Sequence, residues 1–261
     1  MIRISPGAVI CLRSVIAFVL LSVVIKITRV SLAIDGPKQK YILLSGVFLA
    51  FHWTAYFYAL QLSSVALGML SMFTYPVITV ILEPLYIKTK FKPVHILLSI
   101  IAFAGIYMLL PGFEISNHET LGIIVGTGSA FLYAIRNLIL RKHATSVNGL
   151  VVIHRQLAVV ILVTIPFLFF SSITMESVQT FSVPILLLGV FTTAMGHSFF
   201  VKSLQFFSAS TVSILSNFTP VVGILLGIIF LNEHPTGNTL LGGLMIMLSA
   251  VIEIWLEQKR K

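Results

Sequence analysis

The chain has 261 residues, of which 57% are hydrophobic and only 10% charged, and its formal net charge is +9. Soluble domains carry about 25% charged residues. So few ionisable side chains cannot cover the surface of a soluble protein of this size, which argues against a soluble enzyme. The single cysteine, Cys11, rules out a disulfide framework within the chain, and the sequence predicts no metal site and no cofactor.

Nine apolar runs are long enough to cross a bilayer as helices, because a hydrocarbon core about 30 Å thick takes about 20 residues. Continuous apolar character with scattered glycines is typical of packed transmembrane helices, whereas barrel strands alternate with period two. The sequence therefore predicts an all-α membrane protein with about nine transmembrane helices. The runs cover residues 8–27, 41–60, 67–87, 94–111, 121–141, 150–170, 184–203, 209–231 and 237–257.

The basic residues lie in short tracts between these runs, which indicates topology signals rather than a surface for nucleic acid. Alternate connections collect 12 of the 17 Lys and Arg residues, whereas the opposite connections carry Glu114, Glu119, Glu176 and Glu233. The positive-inside rule then places the C-terminus in the cytoplasm, and the odd number of spans places the N-terminus outside. We expect a multi-pass protein of the inner (cytoplasmic) membrane.

A cleavable signal peptide is the competing interpretation of residues 1–30. Arg13 interrupts its apolar stretch, and the sequence from Lys26 to Arg29 is basic where a cleavage site has small residues. We therefore expect this segment to be retained as a span.

The chain resembles itself at an offset of 142 to 144 along the sequence. Arg13 aligns with Arg155, Gly46 with Gly189, and Pro76-Val77 with Pro220-Val221. Apolar segments also resemble one another by chance, but here the rarer residues match in order, which favours a duplication. We expect a first repeat of four helices at 1–112, a second of five at 120–257 and a basic cytoplasmic tail at 258–261. Because five spans is an odd number, complete repeats would have opposite orientations in the membrane.

Several loose patterns together resemble the drug/metabolite transporter superfamily, in its EamA-like branch. They are Tyr58-Ala-Leu60 followed by Ser64-Val-Ala66, the mid-helix prolines 76 and 220, Glu233, and the pair Gly242-Gly243. The resemblance implies ten helices as two inverted five-helix repeats around a central cavity. This chain departs from that pattern in lacking the family's first helix, which suggests a truncated or late-started reading frame, and in having Thr89 where the first half would match Glu233.

Polar residues recur on one face of two spans, at Ser71, Thr74, Tyr75 and Thr79 and at Ser213, Ser216 and Asn217. Each stripe adjoins a proline, Pro76 or Pro220, that loosens its helix and could act as a hinge. The stripes could line a solute site, or their hydroxyls could bond their own helix carbonyls and assist helix packing. We expect Tyr75 and Asn217 to line the site.

A second cluster is aromatic and titratable. His52 and Tyr56 are four residues apart and share a helical face with Trp53 beside them, and His197 occupies nearly the equivalent place in the second half. Such rings can stack an organic solute or bind a cation, and a histidine could carry a coupled proton. The alternative for the aromatic residues is the membrane interface or helix packing.

Charged side chains within the spans are the third group. Arg13 and Arg155 could bind a carboxylate or phosphate through two parallel hydrogen bonds, or could snorkel to the headgroups. Snorkelling is the expectation for Arg136, and a local ion pair with Lys88 is the simple explanation of Glu83.

These patterns predict a secondary-active transporter of a small organic metabolite, with a site near mid-membrane between the repeats. Catalytic and nucleotide-binding motifs are absent, so we expect no enzyme. A passive channel or lipid scramblase is the alternative, and a membrane-embedded enzyme is a third. The partners are the small-molecule solute and the lipid bilayer; proton coupling, solute exchange and a homodimer are left open. The expected solute-binding residues are His52, Trp53, Tyr56, Tyr75, His197, Asn217, Arg13 and Arg155.

Overall fold

The structure is a computed structural model that describes residues 5–87, 93–109, 117–171, 175–206 and 218–259. Its regular elements are helices throughout this described part, and no strand occurs there. In chain order they are α1 Pro6–Thr28, α2 Gly36–Leu62, α3 Val65–Met72, α4 Tyr75–Ile87, α5 Pro93–Leu109, α6 His118–His143, α7 Gly149–Thr164, α8 Pro166–Phe169, α9 Met175–Leu187, a π-helical segment Leu188–Gly196, α10 His197–Phe206, α11 Phe218–Leu231 and α12 Gly237–Gln258.

Six segments of the described part are long and apolar enough to cross a membrane, which confirms the all-α membrane fold. Each of the nine predicted runs overlaps a helix, but the helices that overlap the runs at 94–111, 209–231 and 237–257 contain only short apolar segments, so the number of nine spans stays a prediction. The six long segments are Pro6–Thr28, Gly36–Leu62, Val65–Tyr86, His118–His143, Gly149–Phe169 and Gln179–Phe200.

Helix ends follow local chemistry. Ser5 caps α1 by accepting a hydrogen bond from the Ala8 N–H, with Pro6 in the first turn, and Asn148 caps α7 through the Leu150 N–H. α1 ends at Thr28, and the capping residue Arg29 takes the left-handed conformation (φ 53°). The expected loosening at Pro76 is present as a break, because α3 ends at Met72 and α4 begins at Tyr75. Pro220 lies in the first turn of α11, where proline is tolerated.

The chain divides into two compact units, which do not coincide with the expected repeats. The first unit contains residues 1–54 and 139–206, and the second contains residues 55–138 and 207–261. At the offset that aligns Pro76 with Pro220, residues 1–54 correspond to residues 145–198, and residues 63–117 correspond to residues 207–261. Each unit therefore combines corresponding pieces of the two halves of the sequence. The repeat boundaries at 112 and 120 stay a prediction, because compact units describe packing and repeats describe ancestry.

In the first unit, α1 packs against α7, α8, α9 and the π-helical segment. The helices α1 and α7 run antiparallel, since Gly7 near the start of α1 lies against Phe167, just after the end of α7, whereas Ser22 near the end of α1 meets His154 near the start of α7. The side chain of Gln156 also crosses from α7 to α2, donating to the Ser45 hydroxyl at 2.7 Å. Both side chains are fully buried, so this bond links two helices inside the apolar unit.

In the second unit, α5 packs against α12, and α3 packs against α11. The pair α5 and α12 approaches closely at two glycines: a Cβ on Gly105 would lie 2.8 Å from the Gly242 carbonyl oxygen, and one on Gly242 would lie 2.6 Å from that of Gly105. Such close contact between small residues is typical of helices packed in a membrane. The two helices begin at Pro93 and Gly237, which the offset between Pro76 and Pro220 places in register.

Candidate functional site

Three of the predicted site residues lie together inside the first unit. The guanidinium carbon of Arg13 lies 4.2 Å from the centroid of the Trp53 ring, and the Trp53 and His197 rings are 5.0 Å apart with an interplanar angle of 53°. Only 5% of Arg13 and 4% of Trp53 is exposed, and His197 is half-buried. A buried cation, a large aromatic ring and an imidazole therefore form one cluster within membrane-spanning helices.

The local fold positions each member of this cluster. Arg13 lies on α1, Trp53 lies on α2, and His197 is the first residue of α10, directly after the π-helical segment. Gly189 of that segment allows the close approach to α1, because a Cβ there would lie 2.9 Å from the Ile16 Cβ and 3.1 Å from the Arg13 carbonyl oxygen. The segment that ends at His197 is thus held directly against the helix that carries Arg13.

The π-helical segment was not expected from the sequence. Within it the Thr193 hydroxyl donates to the Leu188 carbonyl oxygen, five residues back, at 2.9 Å. π-Helical turns are rare in proteins, and those that occur often lie at functional sites. Composition does not distinguish this segment from the α-helix around it, so the sequence offered no signal for it.

The remaining predicted residues lie elsewhere or outside the described part. His52 is buried on α2 beside Trp53. Arg155, on α7, donates to the Leu32 carbonyl oxygen at 3.2 Å rather than joining the cluster. Tyr56 and Tyr75 belong to the second unit. Six residues named from the sequence lie outside the described residues: Asn217, Ser213, Ser216, Glu114, Thr89 and Lys88, the expected partner of Glu83.

Tyr56 and Tyr75 take part in aromatic packing in the second unit. Tyr75 meets Tyr133 edge to face at 4.9 Å between ring centroids and Phe73 at 5.9 Å, and Tyr56 packs against the same apolar cluster. Such edge-to-face pairs stabilise a core. Their contacts are those expected for helix packing, which was one of the two interpretations of these residues.

The hydroxyls of the first polar stripe bond their own helix. Ser71 donates to Gly68, Thr74 to Ser71 and Thr79 to Tyr75, each to a backbone carbonyl three or four residues back. These bonds favour the packing interpretation for Ser71, Thr74 and Thr79.

The expectation that Arg136 snorkels to the headgroups is wrong. Only 1% of this residue is exposed; its guanidinium donates to the Asn137 side chain at 2.9 Å and lies 5.6 Å from the centroid of the Tyr133 ring. Its position near a predicted span end suggested snorkelling, but the side chain packs among neighbouring helices instead. A hydrogen-bonding side chain and an aromatic ring nearby compensate part of the loss of hydration.

Two further polar groups were missed or only partly understood from the sequence. His154 is buried on α7, stacks on Phe18 at 4.3 Å between ring centroids and lies 3.0 Å from the Ser22 hydroxyl.

In the second unit, the Glu233 carboxylate accepts hydrogen bonds from the backbone N–H groups of Val65 at 2.7 Å and Ala66 at 3.2 Å. Glu233 therefore caps the first turn of α3, where backbone N–H groups have no partner within the helix.

The charge of the chain is concentrated in the first unit. Residues 1–54 and 139–206 contain ten Lys and Arg and two acidic residues, so this unit carries +8 of the net +9. The acidic residues are Asp35 and Glu176. Asp35 is exposed just before α2, and its hydrogen bond and ion pair with Lys38 in the first turn of that helix lower its pKa; Glu176 is exposed on α9. The buried cluster thus lies in a strongly positive unit.

Comparison with known proteins shows what kind of protein carries this fold. The sequence model of the EamA-like transporter family matches residues 1–110 and 120–255. The chain belongs to this family. The family and these relatives are transporters rather than enzymes, and the chain has several helices long and apolar enough to cross a membrane.

Relatives with curated names are distant. The chain is 28% identical over 244 residues to solute carrier family 35 member G1 of Mus musculus, covering 85% of this chain and 65% of that protein, so it spans just under two thirds of that relative's length. It is 23% identical over 251 residues to the pseudopaline exporter CntI of Pseudomonas aeruginosa, covering 94% of this chain and 85% of that protein. A solved crystal structure has a similar fold, with a TM-score of 0.68; the match covers 97% of this chain and 88% of the chain in that structure. At 18% sequence identity, this similarity shows the fold alone.

Proposed function

We propose that this EamA-like transporter is a secondary-active carrier that moves a small organic metabolite by alternating access. The observation that carries this proposal is the cluster of Arg13, Trp53 and His197, buried among membrane-spanning helices. Ionisable side chains in such helices are costly and mark solute or ion pathways. Arg13 and Trp53 come from the first half of the sequence and His197 from the second, so the proposed site lies between the two halves.

We further propose that the two halves are inverted repeats, and matched contacts within the first unit support this. The offset that aligns Gly46 with Gly189 also aligns Ile16 with Val159. A Cβ on Gly46 would lie 2.9 Å from the Val159 Cβ, and one on Gly189 would lie 2.9 Å from the Ile16 Cβ. Each glycine thus faces the residue equivalent to the other's neighbour, as twofold-related repeats require.

Trp53 and His197 contact each other, and the offset between Pro76 and Pro220 also aligns these two residues with one another. In two repeats related by a twofold axis, aligned residues can meet only near that axis. The contact between Trp53 and His197 therefore supports a twofold axis that passes close to this pair. The separate family matches at 1–110 and 120–255 also support two repeats.

We propose an inner-membrane location with the C-terminus in the cytoplasm, because the basic residues collect on one side of the predicted spans. The break between α3 and α4 at Pro76 would serve as a hinge during the transport cycle. The energy source would be the gradient of the solute itself, an exchanged solute or a proton. Whichever of these applies, the π-helical segment that leads into His197 is the element best suited to link site occupancy with helix movement.

Uptake into proteoliposomes tests the proposal. Purified protein is reconstituted and screened against amino acids, nucleosides, cofactors, organic acids and cationic dyes. We expect uptake that saturates with solute concentration and that falls by about tenfold or more in Trp53→Ala and His197→Ala, as is typical for residues that line a buried site.

The controls are Trp255→Ala and His234→Ala, which alter the same residue types at exposed positions. Both should retain uptake. Flux that increases linearly without saturation would indicate a channel or scramblase instead. Normal uptake by the Trp53 and His197 variants, with normal membrane insertion, would show that the site lies elsewhere.

A further inference from the structure

We infer that one end of the first unit, where the end of α1 and the start of α2 meet the end of α6 and the start of α7, binds the headgroup of an anionic phospholipid. This basic surface consists of residues 26–42 and 139–156. The inference goes beyond the proposed transport function and does not depend on it. Three observations carry it: the packing of the helix ends, their charge, and the exposed apolar stripes that lead to them.

The first observation is that these helix ends form one packed surface. One buried apolar cluster joins α2, α7 and the loop after α6: Ile42, Val152 and Ala144. The Tyr41 ring, near the start of α2, stacks on the ring of His143, the last residue of α6, with 3.6 Å between centroids and 6° between planes. The loop after α1 is joined to the same place, because Arg155 of α7 donates to the Leu32 carbonyl oxygen at 3.2 Å.

The second observation is the charge of the basic surface. Residues 26–42 and 139–156 contain seven Lys and Arg and one acidic residue, Asp35, so their net charge is +6. Asp35 pairs with Lys38 at 2.7 Å. Five other residues of this surface are basic and exposed: Lys26, Arg29, Lys40, Arg141 and Lys142. Clusters of about four to eight Lys and Arg at the ends of transmembrane helices are typical of anionic-lipid recognition.

The third observation distinguishes a phospholipid from a soluble anion. Three exposed apolar side chains at steps of four lead along one face of α1: Val15, Val19 and Val23. The next position is Ile27, which is 74% exposed and directly follows Lys26.

A second exposed stripe lies on α2, where Phe51 and Leu44 lead to the exposed Lys40 at steps of seven and four. Each stripe thus ends at a lysine of the basic surface. A phospholipid matches this arrangement, because its acyl chain can lie along the stripe while its phosphate meets the lysine. A soluble anion would use the lysine alone.

Native mass spectrometry of the full chain in a neutral detergent tests the inference. The probes are phosphatidylglycerol and phosphatidylcholine with the same acyl chains, titrated at low ionic strength, where charge interactions are least screened. We expect the dissociation constant of phosphatidylglycerol to be lower than that of phosphatidylcholine by about tenfold or more, since several cations contribute. Equal binding of the two lipids would overturn the inference without any variant.

Two matched double variants locate the bound lipid. Lys26→Gln with Lys40→Gln removes the lysines at the ends of the two stripes. The control, Lys202→Gln with Lys259→Gln, removes an exposed lysine of α10 and one directly after α12. All four lysines are exposed, so both variants should melt like the parent protein.

We expect the first variant to raise the dissociation constant of phosphatidylglycerol by about tenfold or more, because each cation near an anionic headgroup contributes about a factor of five. Its binding of phosphatidylcholine and the lipid binding of the control variant should not change. Lys40→Gln alone should weaken phosphatidylglycerol by about fivefold and serves if the double variant does not fold. An equal loss in the two double variants, or no loss in the first, would overturn the inference.

A soluble phosphate offers the same headgroup chemistry without an acyl chain, so a competition experiment separates the two sources. Glycerol 3-phosphate, added at the concentration that saturates the protein with phosphatidylglycerol, should leave the lipid bound. If it displaced the lipid from the parent protein, the basic surface would be a site for a soluble anion, and the inference would be wrong.

Discussion

The matched glycines of the first unit give a sharp test of its packing. A Cβ on Gly46 would lie 2.9 Å from the Val159 Cβ and 3.2 Å from the Gln156 Cα, whereas ordinary contacts are 3.4–4 Å. One of these atoms belongs to the backbone of α7, so Gly46→Ala requires the two helices to separate. Gly189→Ala meets the Ile16 Cβ at the same 2.9 Å and the Arg13 carbonyl oxygen at 3.1 Å.

The magnitude follows from two opposing effects. Overpacking of this kind costs about 1–3 kcal/mol, and replacing glycine by alanine within a helix returns about 1 kcal/mol. We therefore expect both variants to lose up to about 2 kcal/mol of stability, or up to roughly 4 °C in melting temperature at about 2 °C per kcal/mol for a chain of this length. Gly128 is the matched control: it also lies within a helix, α6, but a Cβ there meets nothing within 4 Å. Gly128→Ala should gain up to about 1 kcal/mol.

Thermal unfolding of the purified variants, followed by intrinsic fluorescence in detergent, measures these differences. Gly46→Ala and Gly189→Ala should melt below the parent protein by similar amounts, and Gly128→Ala should melt at or above it. If Gly46→Ala were as stable as Gly128→Ala, the close approach of α2 to α7 would be wrong. If Gly46→Ala and Gly189→Ala lowered the melting temperature by very different amounts, the similar contacts of these two glycines would not contribute similarly to stability.

Two further predictions concern polar groups. Gln156→Leu removes the donor to Ser45 and should cost about 1–2 kcal/mol of stability. In a double-mutant cycle of melting curves, Gln156→Leu combined with Ser45→Ala should cost less than the sum of the two single changes. Strictly additive effects would contradict the hydrogen bond. Glu233→Gln removes the charge that accepts from the Val65 and Ala66 N–H groups and should cost about 1–2 kcal/mol, whereas Glu176→Gln, at an exposed site, should change stability by less than about 0.5 kcal/mol. Equal effects of the two glutamate variants would show that the cap contributes nothing.

The helices could be predicted from the sequence because the bilayer makes span length a local property. A run such as 121–141 needs only its own composition to predict α6, His118–His143, and the error is two or three residues at each end. The break before Pro76 is local too, since proline lacks the N–H that would continue the ladder.

The site could be predicted only in part, because side-chain surroundings depend on residues far away in the sequence. Arg13, Trp53 and His197 stood out as costly or rare groups within apolar runs, and the structure brings them together. Tyr56 and Tyr75 satisfied the same criterion, yet they pack in an apolar cluster of the second unit. Arg136 lies near a span end, as a snorkelling residue does, and only its helix neighbours determine that it is buried.

Arg13 and Arg155 align in the two halves of the sequence, but their contacts differ. Arg13 lies over Trp53, and the offsets of the proposed repeats carry this pair onto Arg155 and His197, whereas Arg155 donates to the Leu32 carbonyl oxygen. The contacts of Gly46 and Gly189 are by contrast matched. If the two halves are the inverted repeats proposed above, exchange of conformations between them would produce the state that opens to the other side. Arg155 would then approach His197 as Arg13 leaves Trp53.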